Sequence, residues 1–131
     1  MVNDPVADLI ISLKNAGASG RTQLVVPHSK LRAAIAQKLE ECGFIKSVVK
    51  RGKKVRKALE IELKVSEGGL PPIQGVRRLS KPGRRIYTSV TQIRPVRQHK
   101  GVLLLSTPKG ILTDAEAKKA HVGGEALFMI W

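Results

Sequence analysis

The chain has 131 residues and a formal net charge of +14. This length suits one domain or two small lobes, and a hydrophobic fraction of 42% argues against wholesale disorder. Residues 1–65 carry 13 Lys and Arg against 6 Asp and Glu, and residues 66–131 carry 11 against 4, so each half has a charge of +7. An evenly basic chain attracts polyanions, which favours a nucleic-acid binder over a merely soluble surface.

The cysteine count and the hydropathy pattern argue against a disulfide-bonded protein and against a membrane protein. The single Cys42 rules out an internal disulfide and a cysteine-based metal site within one chain. No apolar run reaches 18 residues, and the N-terminal sequence lacks a secretory or transit pattern. We therefore expect a cytoplasmic protein that does not associate with membranes, and the sequence leaves an organelle matrix open.

The first helix is predicted to begin at Asp4-Pro5, because Asp caps free amides and Pro suits the first helical position. Apolar residues at helical spacing then form one stripe: Val6, Leu9, Ile10 and Leu13. Asn15 and Gly17 are predicted to end this helix. Lys14 and Asn15 would then lie at its exposed end, where Lys14 either offsets the helix dipole or contacts a phosphate.

A second helix is predicted after Ser29, which caps it, and before Gly43, which ends it. Its inner face has the following apolar residues: Leu31, Ala34, Ile35, Leu39 and Cys42. Lys30 and Arg32 lie in the first turn, where positive charge opposes the helix dipole. That placement hints at an external anion.

Residues 44–49 and 58–65 are predicted to form a hairpin. In the second segment apolar and polar residues alternate, as in a half-buried strand. The connecting residues 50–57 include six Lys and Arg among eight positions. This loop is either simply solvated or a contact for phosphates.

Residues 66–72 contain two Gly and two Pro, which break both helix and strand. We therefore predict an α+β fold of two small lobes. Residues 1–66 form an N-terminal lobe with helices packed on a short sheet, residues 67–72 form a linker, and residues 73–131 form a mostly β lobe with a short helix.

The first part of the C-terminal lobe is predicted to be a hairpin. Residues 75–80 form a basic strand, and residues 85–88 return as its partner. The Lys81-Pro82-Gly83-Arg84 segment matches a type II turn between them. One helical turn is predicted within residues 90–93.

The most distinctive stretch is residues 101–120. An apolar strand at 102–105 leads into Ser106-Thr107-Pro108-Lys109-Gly110, and Thr113 to Glu116 then forms a capping box that opens a helix. The chain turns at 122–124 into a final apolar strand headed by Glu125.

Catalytic and metal-binding patterns are missing from the sequence. The three histidines lie far apart, without the spacing of a zinc site. There is neither a phosphate-binding loop of the Walker type nor a nucleophile elbow. We therefore expect a protein that is not an enzyme and that uses no cofactor or metal.

Residues 106–110 and Glu125 provide chemistry suited to RNA. Hydroxyls of Ser106 and Thr107 can bond to base edges and to ribose 2′-hydroxyls. Lys109 can reach a phosphate, and Gly110 allows close backbone approach. Glu125 could accept from a base amino group. The alternatives are that Ser106 and Thr107 only form a turn and that Glu125 only pairs with a neighbouring cation.

Four segments in this order resemble the bacterial form of the small-subunit ribosomal protein eight family, and the resemblance covers essentially the whole chain. They are Asp4-Pro5-Val6-Ala7-Asp8, Ser80-Lys81-Pro82-Gly83-Arg84-Arg85-Ile86-Tyr87, residues 105–114 and Gly123-Gly124-Glu125. The resemblance implies a structural, RNA-binding role in the small ribosomal subunit. The RNA would be the central domain of small-subunit ribosomal RNA, and binding would help to assemble the platform near ribosomal proteins five, twelve and seventeen. The alternative is a translational regulator that binds its own messenger RNA.

The resemblance also implies which residues contact RNA. In the C-terminal lobe the predicted residues are Tyr87, Ser106, Thr107, Pro108, Lys109, Gly110 and Glu125, together with Lys81, Arg84 and Arg85. A secondary contact in the N-terminal lobe is predicted at Lys14, Asn15, Ser29 and Lys30.

Overall fold

A computed structural model describes residues 4–53, 56–64, 73–93 and 101–131. The chain divides into two compact units. The N-terminal unit spans Pro5–Gln74, and the C-terminal unit spans Gly75–Trp131 together with Asp4. The predicted linker at 67–72 lies outside the described residues, so that lobe boundary stays a prediction.

The N-terminal unit contains two helices and a three-stranded sheet. Its elements are α1 (Pro5–Ala18), β1 (Gln23–Pro27), α2 (Lys30–Glu41), β2 (Ser47–Arg51) and β3 (Ala58–Glu62). The antiparallel sheet has the order β1-β3-β2. Helix α1 packs against β1, and α2 packs against β2. This confirms the predicted helices on a short sheet.

Helix α1 buries the predicted stripe of Val6, Leu9, Ile10 and Leu13. The helix continues to Ala18, so the predicted end at Asn15 and Gly17 is wrong. The N–H of Arg21 donates to the carbonyl of Ala16 (3.0 Å), and the N–H of Gly20 donates to that of Gly17 (3.2 Å). These two bonds are the Schellman pattern, and Gly20, with φ of 76°, provides its left-handed residue.

Helix α2 begins as predicted. The Ser29 hydroxyl accepts a hydrogen bond from the N–H of Arg32 (3.0 Å) and so satisfies one free amide of the first turn. Ile35, Ala36 and Leu39 are fully buried, whereas Cys42 at the C-terminal cap is only half-buried.

Strands β2 and β3 form the predicted hairpin. Leu59 and Ile61 are buried on the face that meets the helices, and the intervening Glu60 and Glu62 project from the opposite face because side chains alternate along a strand. Glu60 pairs with Arg51 (2.7 Å), and Glu62 pairs with Lys46 (3.2 Å).

The C-terminal unit is built around its last strand. Its elements are β4 (Val76–Arg78), β5 (Tyr87–Thr88), a 3₁₀ turn (Val90–Gln92), β6 (Val102–Thr107), β7 (Gly110–Thr113), α3 (Asp114–Ala120) and β8 (Gly124–Ile130). The antiparallel order is β4-β8-β6-β7, and β5 also pairs with β8. The α+β class and the mostly β C-terminal unit are therefore confirmed.

The predicted hairpin between residues 75–80 and 85–88 is wrong. Strands β4 and β5 pair with β8, at its last and its first residues respectively. Only an isolated bridge joins Lys81 to Arg84. Gly83 does not have the positive φ that a type II turn requires at its third residue, so the predicted turn type is also wrong.

Strand β7 was missing from the prediction, which had two apolar residues between the turn and the helix. Ile111 and Leu112 instead pair with Ser106 and Leu105 of β6. The capping box is confirmed, because the Thr113 hydroxyl accepts from the N–H of Glu116 (3.2 Å) while the Glu116 carboxylate accepts from the N–H of Thr113 (3.0 Å).

Helix α3 covers one face of the C-terminal sheet. Ala117 of this helix packs with Leu103 and Leu105 of β6, Ala126 of β8 and Ile93. The neighbouring residues of β6, including Ser106, therefore project from the opposite face. None of the helices in the described part of the chain has the length and hydrophobicity of a membrane span.

Candidate nucleic-acid interface

The predicted signature turn is a tight hairpin tip between β6 and β7. Thr107 lies opposite Gly110, which leaves Pro108 and Lys109 at the tip. The Thr107 hydroxyl donates to the Gly110 carbonyl (2.8 Å) and accepts from the N–H of Lys109 (3.1 Å). This hydroxyl therefore holds the turn, which agrees with the interpretation that Thr107 forms a turn. It fixes the direction in which the Lys109 backbone leaves the sheet.

Ser106 differs from Thr107 in its bonding. Within the described part of the chain its hydroxyl forms no side-chain hydrogen bond, and the residue is half-buried. A hydroxyl both donates and accepts. Ser106 is therefore free to bond to a ligand, whereas Thr107 would have to share or break the bonds of the turn.

Tyr87, Glu125 and Ser106 form one row across three neighbouring strands. Tyr87 of β5 lies opposite Glu125 of β8, and Glu125 lies opposite Ser106 of β6. Residues directly opposite each other project from the same face. At a strand spacing of about 4.8 Å the row spans about 10 Å. Tyr87 is 70% exposed, so its ring is available to stack on a base.

The Glu125 carboxylate is held on one side by two donors. Its Oε2 accepts from the Ser80 hydroxyl and from Nη1 of Arg85 (3.1 Å). The predicted alternative of a pairing with a neighbouring cation is thus what the structure shows. The Glu125 side chain is 18% exposed, and its Oε1 has no hydrogen bond to any other described residue. One carboxylate oxygen is consequently left to accept from a ligand.

Ser80 is a positioning residue that sequence reasoning missed. It is fully buried, and besides donating to Glu125 its hydroxyl accepts from the N–H of Ile86 (3.3 Å). The Nε of Arg78 donates to the Ser80 carbonyl, and the Arg78 guanidinium also lies 2.9 Å from the Asp4 carboxylate. No local pattern in the sequence distinguishes such a serine from a turn serine.

Two glycines allow the row to assemble. A Cβ at Gly124 would lie 2.2 Å from the Ser106 carbonyl oxygen, and a Cβ at Gly123 would lie 2.4 Å from that of Thr88. Both contacts are with backbone, which cannot rotate away. Gly123-Gly124 was interpreted from the sequence as a turn and as part of a family motif, without the packing role by which the pair lets β8 enter closely between β5 and β6. Two consecutive glycines directly before a strand are the signal that could have indicated this.

Sequence comparison identifies the family. The sequence profile described as Ribosomal protein S8 matches residues 4–131. The chain belongs to this family. It is 41% identical to the small ribosomal subunit protein uS8 of Persephonella marina over 136 aligned positions, with both chains fully covered. It is 44% identical to that of Chloroflexus aggregans over 132 positions, which cover 99% of this chain and 98% of the relative. The family resemblance stated from the motifs is thereby confirmed.

The remaining predicted residues of the C-terminal unit surround the row. Arg85 contacts Glu125 directly. Lys81 and Arg84 face each other across the Pro82-Gly83 turn, where their backbones exchange two hydrogen bonds of 3.0 and 2.9 Å. Lys81, Arg84, Arg85 and Lys109 are all exposed. The exposed rim of the row therefore carries positive charge, which suits a phosphate backbone.

The predicted residues of the N-terminal unit form a separate group. Lys14 and Asn15 are exposed on α1, but the last turn of that helix contains no basic residue, so the dipole argument for Lys14 is wrong. The Ser29 hydroxyl is occupied as the helix cap. Lys30 is exposed, and it keeps the possibility of a phosphate contact that the sequence suggested.

Arg32 has partners within the N-terminal unit. Its Nη1 donates to the Pro27 carbonyl (3.4 Å), and its Nη2 lies 3.7 Å from the Asp8 carboxylate. The unfavourable charge in the first turn of α2 is thus partly offset inside the protein. An external anion is not needed to explain Arg32. In the described ranges no cluster of His, Cys, Asp and Glu is arranged to hold a metal.

Proposed function

We propose that this chain is a structural, non-catalytic component of the small ribosomal subunit that binds ribosomal RNA. The contact surface is the row of Tyr87, Glu125 and Ser106, with the tip at Lys109. The ribosomal role is supported by membership of the ribosomal protein S8 family and by relatives named as small ribosomal subunit proteins.

The chemistry of the row is the observation that supports RNA as the ligand. It combines the exposed ring of Tyr87 with the Oε1 of Glu125 and the hydroxyl of Ser106, and neither of these oxygens bonds to a side chain among the described residues. Single-stranded or irregular RNA offers bases for stacking and amino groups and 2′-hydroxyls for hydrogen bonding. Arg85 offsets the charge of the Glu125 carboxylate through Oε2 (3.1 Å), and Oε1 can accept a hydrogen bond from a base amino group.

In finer detail, the RNA is the central domain of small-subunit ribosomal RNA, and binding contributes to assembly of the platform. The neighbouring partners are ribosomal proteins five, twelve and seventeen, and the particle is cytoplasmic. These details follow from the family resemblance. Sedimentation of the tagged chain in a gradient tests whether the chain is part of the small ribosomal subunit. Absence of the chain from small subunits would contradict the ribosomal role.

Ser106 and Thr107 provide the sharper test. We expect Ser106→Ala to weaken binding to a transcript of the central domain of a bacterial small-subunit ribosomal RNA by about 1–1.5 kcal/mol, because one hydrogen bond is lost. Its free energy of unfolding should stay within about 0.5 kcal/mol of the unchanged protein. Thr107→Ala should lower both the affinity for this transcript and the free energy of unfolding, because the Thr107 hydroxyl also holds the turn. Titration with labelled RNA and urea unfolding measure the two effects.

Lys109→Ala separates phosphate contact from base recognition. Loss of one phosphate contact should reduce the slope of log K against log salt by about 0.7–0.9, and random RNA of the same length should be affected equally. For Ser106→Ala, affinity for random RNA should hardly change. If Ser106→Ala weakened both RNAs alike, the row would not recognise bases and the proposed surface would be wrong.

A further inference from the structure

Three basic residues lie at one end of the N-terminal sheet: His28, which precedes Ser29 and Lys30, and Lys50 and Lys57, which begin and end the basic segment 50–57. The N–H of His28, just after β1, donates to the carbonyl of Lys57, just before β3 (3.0 Å). On the other side of β3, Lys50 of β2 lies opposite Leu59. Lys57 precedes Leu59 by two residues, so Lys50 and Lys57 project from the same face as diagonal neighbours. His28, Lys50 and Lys57 are called the basic cluster below.

The basic cluster is crowded with like charge. The charge of Lys57 is the main cause that lowers the pKa of the Lys50 ammonium, and the two side chains are within hydrogen-bonding reach of each other. The pKa of His28 is lowered first by its partial removal from water and then by the charges of Lys50 and Lys57. Each positive charge thus makes protonation of the other two groups less favourable. An anion bound between them would favour protonation again.

The two carboxylates of β3 project away from the basic cluster. Glu60 and Glu62 of β3 project from the opposite face to Leu59, because side chains alternate along the strand. They pair there with Arg51 and Lys46. The three basic groups are also accessible, because Lys50 and Lys57 are exposed and His28 is half-buried.

The position of Lys57 is fixed by a close backbone contact. Gly52 has φ of 99°, and a Cβ there would lie 2.2 Å from the Arg56 carbonyl oxygen. The N–H of Arg56 donates to the Lys53 carbonyl (2.8 Å). The two stems of the loop are therefore held against each other, and Lys57 is presented next to His28 by the fold.

We propose that His28, Lys50 and Lys57 form a second phosphate-binding site that holds a phosphodiester of the bound RNA. Two ammonium groups and one imidazole can all donate to phosphate oxygens, and the phosphate relieves their mutual repulsion. Such a contact is independent of base identity. The site rests on the proposed RNA-binding function and adds to it a backbone contact in the N-terminal unit.

The test compares two double variants of the full-length chain that each remove two charges. Lys50→Gln with Lys57→Gln removes the basic cluster, and Lys118→Gln with Lys119→Gln removes two exposed lysines from the last turn of α3. The probe is the transcript of the central domain of bacterial small-subunit ribosomal RNA. Because the two substitutions remove one phosphate contact, we expect the first variant to reduce the salt slope by about 0.7–0.9. The second variant should leave the slope unchanged.

A second measurement follows the His28 imidazole by NMR. Adding the RNA should raise the pKa of His28, because phosphate stabilises the imidazolium. In the free protein, Lys50→Gln with Lys57→Gln should also raise it by removing two positive neighbours. Inorganic phosphate is the comparison ligand: a rise with inorganic phosphate and none with RNA would assign the site to a free anion and overturn the RNA contact.

The outcomes separate this site from the proposed function. If the unchanged protein did not prefer the ribosomal transcript to random RNA, the proposed function would fail. If Ser106→Ala weakened specific binding while the two double variants had equal slopes, and RNA left the pKa of His28 unchanged, only the basic cluster would be wrong as a phosphate site.

Discussion

Each unit has a glutamate on its sheet that pairs with an arginine, and the two pairs have different surroundings. Glu60 and Arg51 are joined at 2.7 Å, with side chains 50% and 64% exposed. Glu125 and Arg85 are joined at 3.1 Å, but the Glu125 side chain is only 18% exposed and also accepts from the buried Ser80. Water competes for the first pair, whereas the protein fixes the second.

The difference indicates how the two units would contribute to RNA binding. In the C-terminal unit, Ser80 and Gly124 hold Glu125 and Ser106 in one geometry, and a fixed geometry is what base recognition requires. Among the described residues of the N-terminal unit, the exposed basic groups supply charge and no polar side chain is fully buried beneath them. We therefore expect base specificity to come from the C-terminal unit. The N-terminal unit should add salt-dependent affinity to that supplied by Lys109 and the basic rim of the row.

Gly124→Ala is expected to have the largest effect on stability and on RNA binding, because it disturbs the fixed geometry of the C-terminal unit. The added Cβ meets the Ser106 carbonyl oxygen at 2.2 Å, so β8 and β6 must separate. We expect the free energy of unfolding to fall by about 3 kcal/mol, at the upper end for overpacking, and specific RNA binding to be lost with it. Urea unfolding monitored by circular dichroism measures the first effect.

Gly83→Ala is the matched control in the same unit. Nothing lies within 4 Å of a Cβ at Gly83, and its φ is not positive. Its free energy of unfolding should change by no more than about 0.5 kcal/mol. Equal effects of the two substitutions would show that the entry of β8 between its neighbours is not tightly fixed.

An intermediate effect is expected from Ser80→Ala, which sharpens the contrast by removing the buried support of Glu125. The Ile86 N–H loses its acceptor and Glu125 loses a donor. An unsatisfied buried group costs about 1–3 kcal/mol, so stability should fall by that amount. Affinity for the ribosomal transcript should fall further than affinity for random RNA, as measured by titration.

The exposed Ser89 provides the comparison for Ser80. Ser89→Ala should leave both stability and RNA specificity almost unchanged, because the residue is exposed and its hydroxyl lies 3.1 Å from that of Thr91 at the surface. If Ser80→Ala lowered affinity for both RNAs by the same factor, Ser80 would support the fold alone and not the orientation of Glu125.

The smallest effect is expected from Arg51→Gln, which breaks the exposed pair of the N-terminal unit. Such pairs contribute about 0.2–1 kcal/mol, and the contribution should vanish in 1 M salt because the charges are screened. Urea unfolding at low and high salt measures the difference, with Glu60→Gln as the reciprocal variant. A loss that persists in high salt would mean that this pair is as firmly held as Glu125 and Arg85.

The sequence predicted elements whose signals are local. The apolar stripe of α1, the Ser29 cap of α2 and the capping box at Thr113 each depend on residues within one or two turns, and all three are present. The end of α1 was misplaced because Gly17 is tolerated inside the helix, while the chain reverses at Gly20. Because Gly17 and Gly20 lie close together, either could end the helix, and tertiary packing decides which one does.

Pairings between distant strands were beyond the local pattern. Residues 75–80 and 85–88 were predicted to form a hairpin because a Pro-Gly turn segment lies between them, yet both segments pair with β8 near the end of the chain. Strand β7 is too short to be recognised from two apolar residues and exists because β6 supplies its hydrogen-bonding partner. The RNA-binding roles of the predicted residues remain predictions.

Charge, periodicity and motifs are properties of neighbouring residues, so they were sufficient to predict the basic character of the chain, the α+β class, the caps of α2 and α3, and the family. The row of Tyr87, Glu125 and Ser106 and the support of the Glu125 carboxylate by Ser80 became visible in the folded chain. The tertiary structure alone also showed that His28 and Lys57 meet. These contacts join residues far apart in the chain, and the register of β-strands and the close approach of backbones at Gly124 and Gly52 determine them.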